Sequence, residues 1–284
     1  MKIGIGLPNE VRDVDATVIP RYATRAEQAG FSTLGTVGRI AYPGVMDTVA
    51  LAAAAGATST IGLFSTVLLA TVWPPVLLAK EVADIDRVSG GRLTLGLGVG
   101  ARPDDFVVAG RGAAGRGARL DADLSTFRSV WDAEPVGGGD SAVVPTGSRR
   151  LPIILGGTSP ASFRRMAQWG EGYAAPGLAP AMLAGLFDSA RRAWRAAGRD
   201  GEPRLVGLGY FAFDHADQGR ANVADYYRTV PTKFQQLMVN GISTGAEAVR
   251  RTVREFEALG VDELVLNPVT SSLDEIDRLA EVVL

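Results

Sequence analysis

The stretch Ile153–Pro160, IILGGTSP, closes an apolar run with two glycines, two hydroxyl residues and a proline. Ser159 is a favoured N-cap type, and proline at the first helical position gives up only an N–H that would be unpaired anyway. The spacing therefore predicts a helix starting at Pro160. Glycines let a ligand approach the backbone closely, and free N–H groups at a helix start make a seat for an anion. A plain strand-to-helix corner has the same local pattern, so these residues alone leave corner and cradle balanced. No lysine follows the glycines in the manner of a nucleotide-triphosphate loop.

Gly96-Leu97-Gly98-Val99-Gly100 has glycine at every second position, which differs from the dinucleotide fingerprint and its two-residue gap before the last glycine. On a strand, that alternation leaves one face bare, either for something flat to lie on or for close packing. Arg39, Tyr42 and Arg102 are the polar residues best placed beside these stretches, although each could equally be a surface side chain. The one histidine, His215, sits in FDHADQG and reads as a helix-start or surface residue. Asp104-Asp105 reads as a solvated loop pair, and Asp84 and Asp86 as helix residues facing solvent or a partner helix. With no cysteine and a single histidine, thiolate chemistry, Cys-based metal sites and His₃ zinc are excluded, and no metal site is expected.

The elements that must position these residues alternate regularly. Predicted strands are Lys2–Leu7, Phe31–Val37, Ile61–Leu69, Leu93–Val99, Pro152–Leu155, Gly172–Ala175, Arg204–Phe213 and Glu263–Asn267. Helical patterns lie between them, among them Ile19–Ala29, Met46–Ala55, Val76–Arg87, Leu120–Trp131, Ser162–Trp169, Ala181–Ala197 and Ala246–Leu259. The strands are apolar on both faces, as parallel strands covered by helices are. Eight such repeats without a low-complexity linker predict an α/β fold, a (β/α)₈ TIM barrel, as one domain over 1–284. Insertions are expected after the fourth strand (101–116), before the fifth (134–150) and after the seventh (222–240). A doubly wound open sheet is the competing arrangement.

The chain is 46% hydrophobic with a net charge of −2 and interspersed signs, which gives no electrostatic case for nucleic acid or an acidic membrane. From Thr48 to Ala79 there is no charged residue, but Gly56, Thr58-Ser59-Thr60 and Pro74-Pro75 break the stretch into pieces too short to span a bilayer. MKIGIGLPNE lacks the apolar length of a signal peptide, and the absence of cysteine fits a reduced, cytoplasmic setting.

AEQAGFSTL (26–34), LLAKEVADIDRVSGGRLTLGLGVG (77–100), DDFVVAG (104–110), PIILGGTSP (152–160) and ALGVDELVLNP (258–268) together resemble the bacterial luciferase-like superfamily of flavin- and deazaflavin (F420)-dependent oxidoreductases. SGGRLTLGLGVG is the most specific block, and the match runs in order through nearly the whole chain. The resemblance implies a cofactor phosphate at Gly156, Gly157, Thr158 and Ser159. It implies a ring against Phe64, Ser65, Thr66 and against Gly98, Val99, Gly100, Ala101. It also implies a non-proline cis peptide at Phe64–Ser65 or a neighbour. Many members carry a catalytic histidine after the second strand; Thr36–Tyr42 has none, which leaves Arg39 or Tyr42 for a charge-stabilising or hydrogen-bonding role. The expected function is a monooxygenase using reduced FMN, delivered by a separate flavin reductase, and O₂ on a small hydrophobic or aromatic substrate. F420-dependent hydride transfer on the same barrel is the second expectation, and a non-catalytic ligand-binding barrel the third. A phosphate-ester lyase or isomerase lacks the lysine or carboxylate expected at a strand end. Ile40, Trp73, Phe106 and Val107 suggest an apolar mouth, and the helices around 45–57 and 74–83, charge-free between Thr48 and Ala79, suggest a homodimer.

Overall fold

The computed structural model describes all of residues 1–284. Its ten strands are β1 (Lys2–Gly6), β2 (Thr33–Thr36), β3 (Gly62–Ser65), β4 (Leu68–Leu69), β5 (Leu93–Gly98), β6 (Ile153–Gly156), β7 (Gly172–Ala174), β8 (Arg204–Ala212), β9 (Ile242–Thr244) and β10 (Glu263–Pro268). Eight of them close a parallel barrel in the order β1-β2-β3-β5-β6-β7-β8-β10, and β10 returns to β1 with Ile3 opposite Leu264 and Ile5 opposite Leu266. The sheet is closed, as the eightfold alternation requires, and the open-sheet alternative falls away.

Two layers of core follow from strands that are buried on both faces. Phe64, Ile154, Ala174, Val206, Leu208 and Val265 fill the barrel interior. A larger outer cluster, including Ile5, Leu34, Leu63, Leu95 and Leu264, packs the strands against the surrounding helices. Glu263, at the bottom of β10, is buried and bound by Ser32 and Arg204, which locks the barrel closure.

Three departures from the sequence reading matter for the site. The predicted strand Ile61–Leu69 is interrupted: β3 stops at Ser65, Thr66 and Val67 turn inward, and β4 resumes beside the end of β5. The region expected as an insertion over 222–240 is two helices, Ala216–Tyr226 and Thr232–Asn240, before β9 pairs with the end of β8. Asp86 does not face solvent. It is 3% exposed, takes two hydrogen bonds from Arg149 and one from Leu93 N, and so ties the start of β5 to the preceding helix.

Candidate active site

In a barrel, the C-terminal strand ends converge on one mouth, and the side chains there are set by what each strand does in its last turn. Here the mouth has two unlike halves.

The first half is a shelf nearly free of side chains. Val67 lies at its centre. A Cβ on Gly98 would stand 2.9 Å from Val67 Cγ2, and one on Gly156 would stand 3.4 Å from both Val67 methyls. A Cβ on Gly38, just past β2, would stand 3.0 Å from the Val67 carbonyl oxygen and 2.7 Å from Asp47 Oδ2. The alternate glycines thus serve close packing around an inward-turned segment and leave a flat floor above it. The expected non-proline cis peptide is at Thr66–Val67, two bonds beyond Phe64–Ser65.

Phe64, Ser65 and Thr66 lie beneath that floor, all below 5% exposure. Ser65 Oγ donates to Gly96 O and accepts from Gly96 N, both at 2.9 Å, and Thr66 Oγ1 donates to Thr36 O at 3.0 Å. Their side chains are committed to the barrel, so the surface at this point belongs to the half-buried Val67, with Val99 and Gly100 half-buried and Ala101 exposed beside it. Sequence reasoning missed Val67, because a valine in an apolar run carries no chemical signal. It also missed Asp47, whose buried carboxyl is pushed up to about 7 by burial, against the hydrogen bond from Thr48 N.

The Gly156–Ser159 corner adjoins the shelf. Ser159 caps the helix Pro160–Trp169 in a reciprocal box: its Oγ accepts from Ser162 N at 3.2 Å, and Ser162 Oγ accepts from Ser159 N at 2.9 Å. Gly157 has φ 124°, a region that favours glycine, and a Cβ there would stand 2.7 Å from Ser162 Cβ. The N–H groups of Gly157, Thr158 and Ala161 donate to no atom of the chain. Thr158 and Ser159 are exposed. Three open donors at the positive end of a ten-residue helix fit an anionic group such as a phosphate ester.

The second half of the mouth is polar and aromatic, built where the helices after β8 fold over β1, β8 and β10. Arg39 is 8% exposed, and its guanidinium makes four hydrogen bonds. Nε donates to Asp105 Oδ1 at 3.0 Å, Nη1 to Tyr226 O at 3.0 Å, and Nη2 to Asp104 Oδ2 at 2.6 Å and Ala41 O at 3.2 Å. Asp105 is not the solvated loop residue its sequence setting suggested. It is 1% exposed and also accepts from Ile40 N and Ala41 N at 2.9 and 2.8 Å. Arg39 therefore clasps the loop after β2 to the helix Pro103–Val108 and to Tyr226.

Arg102 lies over the rings of Tyr226 and Tyr227, 4.5 and 4.7 Å from their centroids, and Tyr42 packs edge-on to Tyr226. Burial, reinforced by Asp225, pushes the Tyr42 hydroxyl up to about 12. Arg39, Tyr42 and Arg102 are thus brought together, with Tyr226 between them. Of the residues read as apolar lining, Ile40 and Trp73 are half-buried, Phe106 is buried and Val107 projects into solvent at 76% exposure. His215 is exposed, starts its helix with φ 52° and makes no side-chain cap.

Glu10 escaped the sequence reading altogether. It follows Pro8-Asn9 in the turn after β1 and is 8% exposed, and neither carboxylate oxygen has a hydrogen-bond partner. Burial pushes its carboxyl up to about 8, against the opposing pull of Arg102. Neighbouring Asn9, by contrast, is fully used: Nδ2 donates to Val37 O and Val45 O, and Oδ1 accepts from Val37 N.

Residues 1–266 match the family described as luciferase-like monooxygenase. The chain belongs to that family. Among curated relatives, the uncharacterized protein Rv0940c of Mycobacterium tuberculosis is 28% identical over 231 residues, covering 70% of this chain and 80% of that protein. Rv0953c of the same organism is 32% identical over 174 residues, covering 56% and 60% respectively. The solved structure of the monooxygenase RslO1 from Streptomyces bottropensis covers 100% of this chain and 98% of its own, with TM-score 0.80 and 22% identity. An F420-dependent secondary alcohol dehydrogenase in complex with an F420–acetone adduct has the same coverage, with TM-score 0.82 and 17% identity. The FMN complex of the oxygenating constituent of 3,6-diketocamphane monooxygenase from Pseudomonas putida covers 99% and 95%, with TM-score 0.74 and 15% identity. At these identities the structural likeness establishes the luciferase-like barrel. Membership of that family, with monooxygenases and oxidoreductases among its structural neighbours, supports an oxidoreductase.

Proposed function

We propose that the protein is a monooxygenase that takes reduced FMN and dioxygen to a small hydrophobic or aromatic substrate. The observation that carries this reading is the pairing of three open N–H donors at Gly157, Thr158 and Ala161 with the side-chain-free floor around Val67. Gly156, Gly157, Thr158 and Ser159 would hold the phosphate, and Val67, Gly98, Val99, Gly100 and Ala101 would face the ring. When bound, the reduced flavin supplies the electrons that activate dioxygen. The chain's own part is to anchor the phosphate, keep one ring face flat against the shelf and exclude bulk water with the helices after β8. Arg39 supports this indirectly, by holding the loop after β2, and Tyr42 borders the same space.

The reduced cofactor would come from a separate reductase, and the setting would be cytoplasmic. A second reading, F420-dependent hydride transfer, is favoured by one observation. Glu10 and Asp47 are carboxyl groups held near neutrality at the mouth, which suits proton exchange with an alcohol or ketone. Oxygen consumption and product formation with photoreduced FMN, run beside anaerobic turnover of F420 with simple alcohols, separate the two. Oxygen-dependent substrate oxidation with FMN is the expected result; turnover with F420 alone would replace it. Peroxide release without substrate oxidation would point to the non-catalytic barrel.

A further inference from the structure

The chain spends several other glutamates on structure. Glu27 accepts from the N–H groups of Ser59, Thr60 and Ile61; Glu275 accepts from those of Phe213 and Asp214; Glu263 binds Ser32 and Arg204. Glu10 alone among these holds nothing, although both of its oxygens are out of reach of bulk water. Burying a carboxyl without partners is costly, so a position that keeps one calls for an occupant that completes it.

A small cavity of ≈ 10 Å³, the room of a single oxygen-sized group, adjoins Glu10. Its walls include Tyr210, Asn222 and Tyr226, with Val11, Val223 and Val269 making the rest apolar. The turn after β1, the strands β8 and β10 and the helix Ala216–Tyr226 all contribute to it at the C-terminal mouth of the barrel.

We propose that Glu10 is the residue that recognises the substrate, its carboxylic acid donating a hydrogen bond to the carbonyl or hydroxyl oxygen of an otherwise apolar molecule. The inference deepens the functional reading above and rests on it for which side of the mouth the substrate occupies. Arg102 does not pair with Glu10 within salt-bridge distance; it is held between Tyr226 and Tyr227 and lends positive potential without taking the carboxyl's place. The other groups that face Glu10 are Tyr42, Tyr210, Tyr226 and Tyr227, from the loop after β2, from β8 and from the following helix. Burial pushes each of these hydroxyls upward, so they stay neutral, and Arg102 stays charged, while Glu10 titrates. Near-neutral solution therefore keeps the donor in place, and alkaline solution removes it.

Binding of acetophenone and of ethylbenzene, alike in shape but differing in the oxygen, tests this in wild type, Glu10→Gln and Glu10→Leu at pH 6.5 and pH 9. One net hydrogen bond corresponds to a preference for acetophenone of about tenfold. That preference is expected in wild type at pH 6.5 and lost at pH 9. Glu10→Gln, whose amide donates at both values, should keep a preference that does not change with pH, and Glu10→Leu should bind both compounds equally. Circular dichroism checks that each variant is folded. A preference retained by folded Glu10→Leu, or one in wild type that is absent or indifferent to pH, would overturn the assignment. FMN and F420 titrations on the same samples keep the failures apart: absent cofactor binding in wild type sinks the functional reading, whereas lost oxygen preference with normal cofactor binding sinks only the role of Glu10.

Discussion

Glu10 shows how a single residue can be invisible in sequence and decisive in structure. After Pro8-Asn9 it looks like an ordinary turn carboxylate, and it becomes buried only because helices more than 200 residues later fold over it. Its folded-state pKa, about 8, stands above the ordinary 4.5, so the protonated form is the one the fold favours. The stability tied to that proton is complete below about pH 4.5 and is lost as pH rises through about 8. Wild type should therefore lose stability relative to Glu10→Gln between pH 5 and pH 8, by up to about 1.4 kcal/mol per pH unit. Urea denaturation of both proteins at pH 5, 6.5 and 8 measures the gap; a constant gap would mean that Glu10 is charged in the fold. Asp47 shifts in the same direction, but it is present in both proteins and cancels in the difference. Ser159 and Gly157 lie at the other extreme: cap type, glycine requirement and helix start could all be read locally, because their physics is local.

At the scale of elements, the barrel strands and most helices were legible from periodicity, since parallel strands covered on both faces leave unbroken apolar runs. The inward turn at Thr66–Val67 was not, because its apolar residues continue the strand pattern and only the glycines on neighbouring strands make room for it. The clasp between Arg39 and Asp105 was also missed, since residues 66 apart in sequence meet only after the barrel closes. That clasp makes a definite demand. Asp105→Ala removes the acceptor for Arg39 Nε and for two loop N–H groups, leaving a buried guanidinium with Asp104 as its one carboxylate beside the Tyr226 and Ala41 carbonyls. A loss of about 3–5 kcal/mol is expected. Hydrogen exchange should show Ile40 and Ala41 amides opening faster while β5 and β6 stay protected; unchanged protection of Ile40 and Ala41 would show that the clasp does not hold the loop.

For the whole molecule, closure of the barrel leaves the helices Asp47–Ala57 and Pro75–Val88 packed side by side on the outside, the first nearly free of charge and the second apolar up to Ala79. Val49 and Leu77 project from them at 57% and 60% exposure. We propose that this face joins two copies of the chain, in line with the uncharged sequence between Thr48 and Ala79. Sedimentation at micromolar concentration should show a dimer for wild type and a monomer for Leu77→Glu, with melting otherwise close to wild type. A wild-type monomer would remove the idea. No helix is long and apolar enough to cross a membrane.

If the mouth is a flavin-type site anchored at Gly156–Ser159, a variant that spoils only the anion seat should lose cofactor affinity. Thr158 is exposed, so Thr158→Glu places a carboxylate among the open donors without disturbing the Ser159–Ser162 cap. Fluorescence titration with FMN and with F420 should show saturable binding of one of them to wild type. The variant should bind it at least tenfold more weakly, with an unchanged melting temperature. Equal affinity in the two proteins, or no binding of either cofactor to wild type, would rule out a flavin-type anchor at Gly156–Ser159.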